Sequence, residues 1–290
     1  MKQRILEIRQ IYKLGQEYLE NANIEEASLD AWYLLSHVTG VSRAEYYGHP
    51  ERELSGEEID RYLACIGKRC RRIPLQHIIG EQEFMGLIFS VNEDVLIPRQ
   101  DTETLVEEGL KVLNPGMRIL DMCTGSGCIL LSLLKLSKAA GLTGTGTDIS
   151  LPALSVAKKN AASLGVSAEF LQGDLFENVP SDERYDLIIS NPPYIPTPVI
   201  EELEEEVRLY DPYIALDGKS DGLHFYRRII AGSISYIKEG GWLMFEIGYD
   251  QAEPVAGMMR DAGYRYVEVK KDLAGLDRVV LGRYYGKDSM

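Results

Sequence analysis

Long apolar runs, basic side chains and cysteines are all scarce in this chain, and each scarcity removes a class of function. No uninterrupted apolar stretch approaches the ~18 residues that a membrane span needs. The first ten residues, MKQRILEIRQ, carry charge throughout and so lack the apolar centre of a secretory leader. The default expectation is a cytoplasmic protein with no membrane partner. Only 31 Lys and Arg stand against 45 Asp and Glu, a net charge of −14. So acidic a surface repels phosphate backbones, whose binding depends on neutralisation by Lys and Arg, and direct nucleic-acid binding is not expected. The imbalance is uneven. Residues 1–80 hold 11 basic and 12 acidic side chains, leaving 20 and 33 for the remainder, including the run EELEEE at Glu201–Glu206. A local basic run, KRCRR at Lys68–Arg72, could contact RNA or an acidic partner; the preferred reading is the solvated face of a helix. The 4 cysteines, Cys65, Cys70, Cys123 and Cys128, form two C-x4-C pairs. One helical turn explains that spacing, no His is placed to complete a zinc site, and reduced thiols with neither metal nor disulfide are expected.

At 290 residues the chain is long enough for one large domain and a small one. Residues 1–80 read as a helical bundle: IRQIYKLGQEYL and EEASLDAWYLLSHV place apolar residues at helical spacing, and Ser55 followed by Glu58 is a capping-box signature. Pro74, Gly80 and Gly86 interrupt that pattern. Residues 81–100 are expected to be a linker and a β-hairpin, with LIFSVNEDVLIPR alternating around Asn92–Asp94. From 101 to 290 helices and strands alternate: RILDM, TGTGTDIS, AEFLQGDLF, YDLIISN and GGWLMFEIG read as strands with helices between them. YRYVEVKKD and DRVVLGRYY come last with no helix between. This order implies an α/β, Rossmann-like doubly wound sheet of about five parallel strands with an antiparallel edge.

Ligands of such sheets bind beyond the carboxyl ends of the strands. In LDMCTGSGC, Asp121 is followed by Cys123, Thr124, Gly125, Ser126 and Gly127 at the start of a helix, where glycines admit a ligand to the backbone and free N–H groups are available. The G-K-[ST] of a phosphate-binding loop is absent from this loop, and Leu130 replaces the third small residue of a dinucleotide fingerprint, so a ligand without pyrophosphate is favoured. Asp148 ends the second strand, where a carboxylate suits a ribose diol; capping of the next helix falls better to Ser150. Asp174 after the third strand could accept from an adenine amine, with Leu175 against the ring, although an ordinary turn Asp explains it equally well. Together these loops describe an adenosine site for S-adenosylmethionine, with S-adenosyl-L-homocysteine as the product.

The fourth strand end is SNPPYIP. Proline lacks an N–H and fixes φ, so Pro192 and Pro193 end the ladder and stiffen the segment after it. A rigid turn explains that much. A methyl acceptor explains more: the Asn191 side-chain oxygen and the Pro192 carbonyl can each accept one N–H of a planar amine or amide, and Tyr194 offers a flat surface. Such bonds tighten as positive charge develops on the nitrogen. The motif does not choose among adenine, guanine, cytosine and a carboxamide.

Over nearly its whole length the chain resembles the peptide chain release factor N5-glutamine methyltransferases, the PrmC/HemK family. The resemblance rests on PLQHIIG (Pro74–Gly80), EFMG (Glu83–Gly86), VLIPRQDTE (Val95–Glu103), LDMCTGSG, TDIS, NPPYIP, YDPYIALDGKSDGL (Tyr210–Leu223), FEIGYDQ (Phe245–Gln251) and KDLAGLDR (Lys271–Arg278). It implies a class I methyltransferase domain behind a substrate-docking helical domain, acting on the Gln of a GGQ motif in release factors. Residues 123–127, Asp148, Leu175 and Asn191 would then contact the cofactor. Asn191, Pro192, Pro193 and Tyr194 would hold the substrate Gln, and Arg99 and Glu103 are placed with them. Cys123 and Lys219 stand where the family often has Gly, Gln100 where it has Pro, and Leu175 where an aromatic is common. A ribosomal-protein glutamine methyltransferase, a nucleic-acid amino-methyltransferase and a non-enzymatic cofactor-binding regulator are the alternatives. A monomer is expected.

Overall fold

Helical spacing of apolar residues builds the amino-terminal part of the protein. The computed structural model describes residues 6–286, which divide into two units: residues 6–80 with Glu205–Tyr210, and Glu81–Glu204 with residues 211–286. In the first unit, α1 (Ile8–Asn21) buries Ile8, Ile11, Gly15 and Leu19 along one face. They meet α2 (Ala27–Thr39) and α4 (Gly56–Arg69), with α3 (Arg43–Gly48), α5 (Leu75–Ile79) and the two-residue ribbon β1 (Leu6–Glu7) and β2 (Glu53–Leu54) at the margins. The cap at Ser55 is reciprocal: its hydroxyl accepts the Glu58 N–H at 3.2 Å, and Glu58 accepts the Ser55 N–H at 2.8 Å. Gly15 is required by close approach, since a Cβ there would lie 2.0 Å from the buried Tyr62 hydroxyl.

The basic run KRCRR is not simply a solvated face. Arg69 is 7% exposed. Its Nε donates to Asp30 at 2.6 Å and its Nη1 pairs with Glu206 at 2.8 Å. Glu206 lies on α9 (Glu205–Tyr210), and the Tyr210 hydroxyl donates to the Arg71 carbonyl at 2.7 Å. The end of the acidic run EELEEE therefore occupies part of the basic one. A guanidinium is buried here because carboxylates reach it from two elements, while desolvation still pushes the Asp30 carboxyl above its ordinary range.

The second unit opens with the hairpin β3 (Glu81–Phe84) and β4 (Leu87–Ser90). Its turn is Met85–Gly86, earlier than the alternation around Asn92–Asp94 suggests. Both turn residues have positive φ (54° and 72°), the backbone that two-residue hairpins favour. Asn92 instead makes a local turn, its side chain accepting the Asp94 N–H.

A seven-stranded sheet comes next. Its parallel strands are β5 (Arg118–Met122), β6 (Thr143–Asp148), β7 (Glu169–Gln172), β8 (Tyr185–Ser190) and β9 (Ile237–Glu246), in the spatial order β9-β8-β5-β6-β7. The last two strands, β10 (Tyr264–Lys271) and β11 (Asp277–Tyr284), form an antiparallel pair, and β11 lies between β9 and β10. The reversed strand is thus one position inside the edge. Burial explains the order: β11 is buried from Arg278 to Gly282, whereas β10 is largely half-buried or exposed and suits an edge. Alternate residues feed opposite faces. Leu120, Ile188, Leu243 and Phe245 pack with α11 (His224–Ser233) and α12 (Ala252–Asp261). Ile119, Leu187, Ile189 and Met244 pack with α6 (Glu103–Val112) and α7 (Cys128–Leu136). Helix α8 (Leu151–Leu164) is capped by Ser150, whose hydroxyl accepts the Ala153 N–H at 3.2 Å. Among the described residues no helix is long and apolar enough to cross a membrane.

Arg69→Ala strands the buried Asp30 carboxylate, while Glu206 keeps Arg72 at 3.8 Å, and is expected to destabilise the amino-terminal unit by about 3–5 kcal/mol. Urea unfolding followed by circular dichroism measures it; a loss below about 1 kcal/mol, the worth of a surface pair, contradicts the assignment.

Candidate active site

The switch point of the sheet lies between β5 and β8, and there the carboxyl ends of the strands open on a cavity of ≈ 310 Å³. Its wall includes Cys123, Thr124, Gly125 and Ser126 after β5, Asp148 after β6, Asp174 and Leu175 after β7, and Asn191 and Pro193 after β8, together with Arg99 and Thr102. Five further predicted residues do not line it: Asp121, Gly127, Pro192, Tyr194 and Glu103.

Asp121 lies beneath the wall, fully buried, and accepts the Thr124 hydroxyl at 2.5 Å. Burial pushes its carboxyl up to about 7, partly offset by that bond, and Oδ1 has no hydrogen-bond partner. It shapes the loop rather than facing the cavity. Gly127 is the left-handed residue at which α7 starts. Gly125, also at positive φ (54°), has no heavy atom within 4 Å of where a Cβ would stand, so a ligand can come directly against its backbone. The buried amide of Asn160 ties this loop to the hairpin, donating to the Ser126 carbonyl at 2.9 Å and accepting the Ser90 N–H at 2.7 Å.

Asp148 accepts the Gly125 N–H on Oδ2 and the Ser150 N–H on Oδ1, both at 2.9 Å. Desolvation raises its pKa, and the backbone N–H groups work against that shift. Each oxygen keeps a second lone pair for a ligand hydroxyl. Asp174 pairs with Arg228 of α11 at 2.9 Å, a contact that competes with any ligand amine. Cavity, open glycine, diol-type acceptor and apolar Leu175 together fit the adenosine end of S-adenosylmethionine.

The acceptor loop is braced from behind. The Tyr194 carbonyl accepts the Gln251 Nε2–H at 2.9 Å, and Ile195 exchanges backbone hydrogen bonds with Leu216 (3.0 Å) and Gly218 (2.8 Å). The Thr197 hydroxyl donates to Asp217 at 2.6 Å, and the Thr197 N–H to the Lys219 carbonyl at 2.9 Å. Gly218 is needed because a Cβ would stand 2.7 Å from the Tyr194 backbone. ALDGKSDG and the Gln of FEIGYDQ are thus the support under NPPYIP. The Tyr194 hydroxyl reaches Glu246 Oε1 at 3.5 Å, directed away from the cavity wall. Asn191 Nδ2 donates to Thr102 Oγ1 at 3.3 Å.

Arg99 lines the cavity and donates to the buried Asp211 at 2.5 Å. Glu103 is elsewhere, accepting the Met85 N–H at 2.6 Å and clamping the hairpin turn. Sequence reasoning missed Thr102, Asn160, Glu246 and Gln251. Glu246 ends a strand, as Asp121 nearly does and Asp148 does, and that shared position was a signal. Among the described residues no cluster of His, Cys, Asp and Glu could hold a metal.

Comparison with known proteins places this architecture. The family model "PrmC N-terminal domain" matches residues 10–80 and "Methyltransferase small domain" matches residues 100–202. A solved methyltransferase from Pyrococcus furiosus shares the fold, with TM-score 0.54 and 17% identity over 76% of this chain and 100% of that one. The release factor glutamine methyltransferase of Geobacter sulfurreducens is 43% identical over 97% of this chain and 98% of its own length. That of Caulobacter vibrioides is 44% identical over 92% of this chain and 93% of its own. With identity of that order along both units, the chain belongs to the release factor glutamine methyltransferase family, on a class I methyltransferase fold.

Proposed function

We propose that the protein transfers a methyl group from S-adenosylmethionine to the side-chain amide nitrogen of a glutamine in a peptide chain release factor, the Gln of its GGQ motif. The observation that carries this reading is the braced Asn191–Tyr194 loop at the wall of a cavity suited to adenosine. When bound, S-adenosylmethionine supplies an electrophilic methyl group on a sulfonium. Asp148 would hold the ribose hydroxyls, Gly125 would admit the ligand to the backbone, and Leu175 would cover the base. Asn191 Oδ1 and the Pro192 carbonyl each accept one N–H of the substrate carboxamide. An amide nitrogen is a poor nucleophile, so holding it at this loop would supply much of the rate; as its N–C bond forms and the S–C bond breaks, both hydrogen bonds strengthen with the acidifying N–H groups, S-adenosyl-L-homocysteine leaves, and one amide proton is lost to solvent.

Labelled S-adenosylmethionine should mark a release factor but not its variant with the GGQ Gln changed to Ala; equal labelling of both contradicts the reading. Asn191→Ala is expected to lower kcat by about 10²–10³ while cofactor affinity is largely retained. Asp148→Asn should do the reverse, weakening cofactor binding by about 10–100-fold, the worth of a charge-assisted hydrogen bond, as read by calorimetry. Gly218→Ala forces the Tyr194 backbone to move and should cost about 100-fold in kcat with little change in cofactor Kd.

A further inference from the structure

The Asn191 amide has two faces of similar shape, and only one orientation serves an acceptor role. If the NH₂ faced the cavity, it would oppose the N–H groups of a substrate carboxamide. Something must fix the amide. In the structure its Nδ2 donates to Thr102 Oγ1, and Thr102 is 2% exposed. A hydroxyl has one proton. If Thr102 gave it to Asn191, the amide would have to turn its oxygen inward and its NH₂ outward. The orientation that leaves Oδ1 outward requires the Thr102 proton to go elsewhere.

Glu246 supplies that acceptor. Its side chain is buried at the end of β9, 2% exposed. Tyr194 donates to Oε1, while Oε2 has no partner at ordinary hydrogen-bond geometry. The Thr102 hydroxyl nevertheless stands close enough to this carboxylate to stabilise its anion. A buried carboxylate oxygen without a partner favours closing this contact.

We propose that Thr102 and Glu246 are positioning residues for the methyl acceptor: the Thr102 hydroxyl donates to the Glu246 carboxylate and accepts from Asn191 Nδ2, which turns Asn191 Oδ1 toward the substrate carboxamide. The inference rests on Asn191 being the acceptor for the substrate amide, as in the proposed function. It makes the relay directional. An ionised Glu246 can only accept, so Thr102 must donate inward; a protonated Glu246 can donate to Thr102, releasing the Thr102 proton to Asn191 and turning the amide the wrong way. Burial pushes the Glu246 carboxyl up to about 7, with Arg278 and the Thr102 and Tyr194 hydroxyls opposing the shift and Asp101 adding to it. Tyr226 donates to the Glu246 backbone carbonyl, and Arg278 is itself held by Asp272 and Asp101. The relay is therefore intact above about pH 7 and lost below it.

Steady-state transfer to a release factor tests this with three variants. Thr102→Val keeps the shape and removes the hydroxyl; kcat should fall by about 100-fold with cofactor Kd unchanged. Thr102→Ser restores the hydroxyl and should recover the wild-type rate. In wild type, kcat should decline on the acid side of about pH 7, and Glu246→Gln should abolish that limb. Wild-type kcat in Thr102→Val, equal impairment of Thr102→Ser and Thr102→Val, or the same acid limb in Glu246→Gln each overturns the relay while leaving the functional reading intact. No transfer by the wild-type protein counts against both.

Discussion

A loop that offers hydrogen-bond acceptors to a ligand has to be held from behind, and prolines cannot help to hold it. Pro192 and Pro193 have no N–H to donate, so the two residues that stiffen the loop contribute no donors to anchor it. The anchoring falls on the residues just after them. The Tyr194 carbonyl is taken by Gln251, and Ile195 is pinned on both sides by the segment around Gly218. Two segments, residues 216–219 and the end of β9 out to Gln251, support this loop. Their spacing in sequence hides this; they converge because β8 and β9 are neighbours in the sheet.

The second recurring theme is the buried carboxylate at or near the end of a strand. Asp121, Asp148 and Glu246 hold such positions on β5, β6 and β9, and burial raises the pKa of each. Their surroundings divide the work. Asp148 takes two backbone N–H groups and stays at the cavity wall; Asp121 is turned under it by Thr124; Glu246 is turned under the acceptor loop by Tyr194. Asp121 keeps one oxygen, Oδ1, without a partner, and leaving such an atom buried costs about 1–3 kcal/mol; the second Glu246 oxygen is the one that the proposed Thr102 bond would satisfy.

Much of the fold was legible because parallel strands buried on both faces are short apolar runs, and RILDM, YDLIIS and WLMFE are unambiguous as such. The position of the reversed strand was also readable in retrospect, since VVLG is apolar throughout while YRYVEVKK alternates. The hairpin turn was misjudged because Asn92–Asp94 resembles a turn more than Met85–Gly86 does; what secures the latter is a carboxylate eighteen positions away in sequence, Glu103. The basic run was misjudged for the same reason: Arg69 and Glu206 are far apart in sequence, and charge composition says nothing about which runs meet. Within the site, strand-end acids and glycines could be read locally. Thr102 could not, because its proposed part depends on Glu246, a distant residue at the end of β9.

Left-handed backbone adds a last constraint. Cys123, Leu175 and Lys219 all have positive φ (59°, 57° and 68°), and all three line the cavity. A side chain in that region costs about 1–2 kcal/mol; at these three positions the strained backbone faces the cavity, whereas Asn23, Arg72, Met85 and Tyr266, also at positive φ, lie outside it. Glycine would relieve it, and glycine is the residue that the family resemblance leads one to expect at Cys123 and Lys219. The backbone shape is therefore set by the site, and the side chain has only to be compatible with it. For Cys123 compatibility is chemical as well as steric. A thiolate beside a sulfonium methyl group would be a competing nucleophile, and the reactive form of cysteine is the thiolate. Burial, with Asp148 and Asp121 nearby, pushes the Cys123 thiol far above its ordinary range, so it stays protonated and the methyl group is left for the substrate amide.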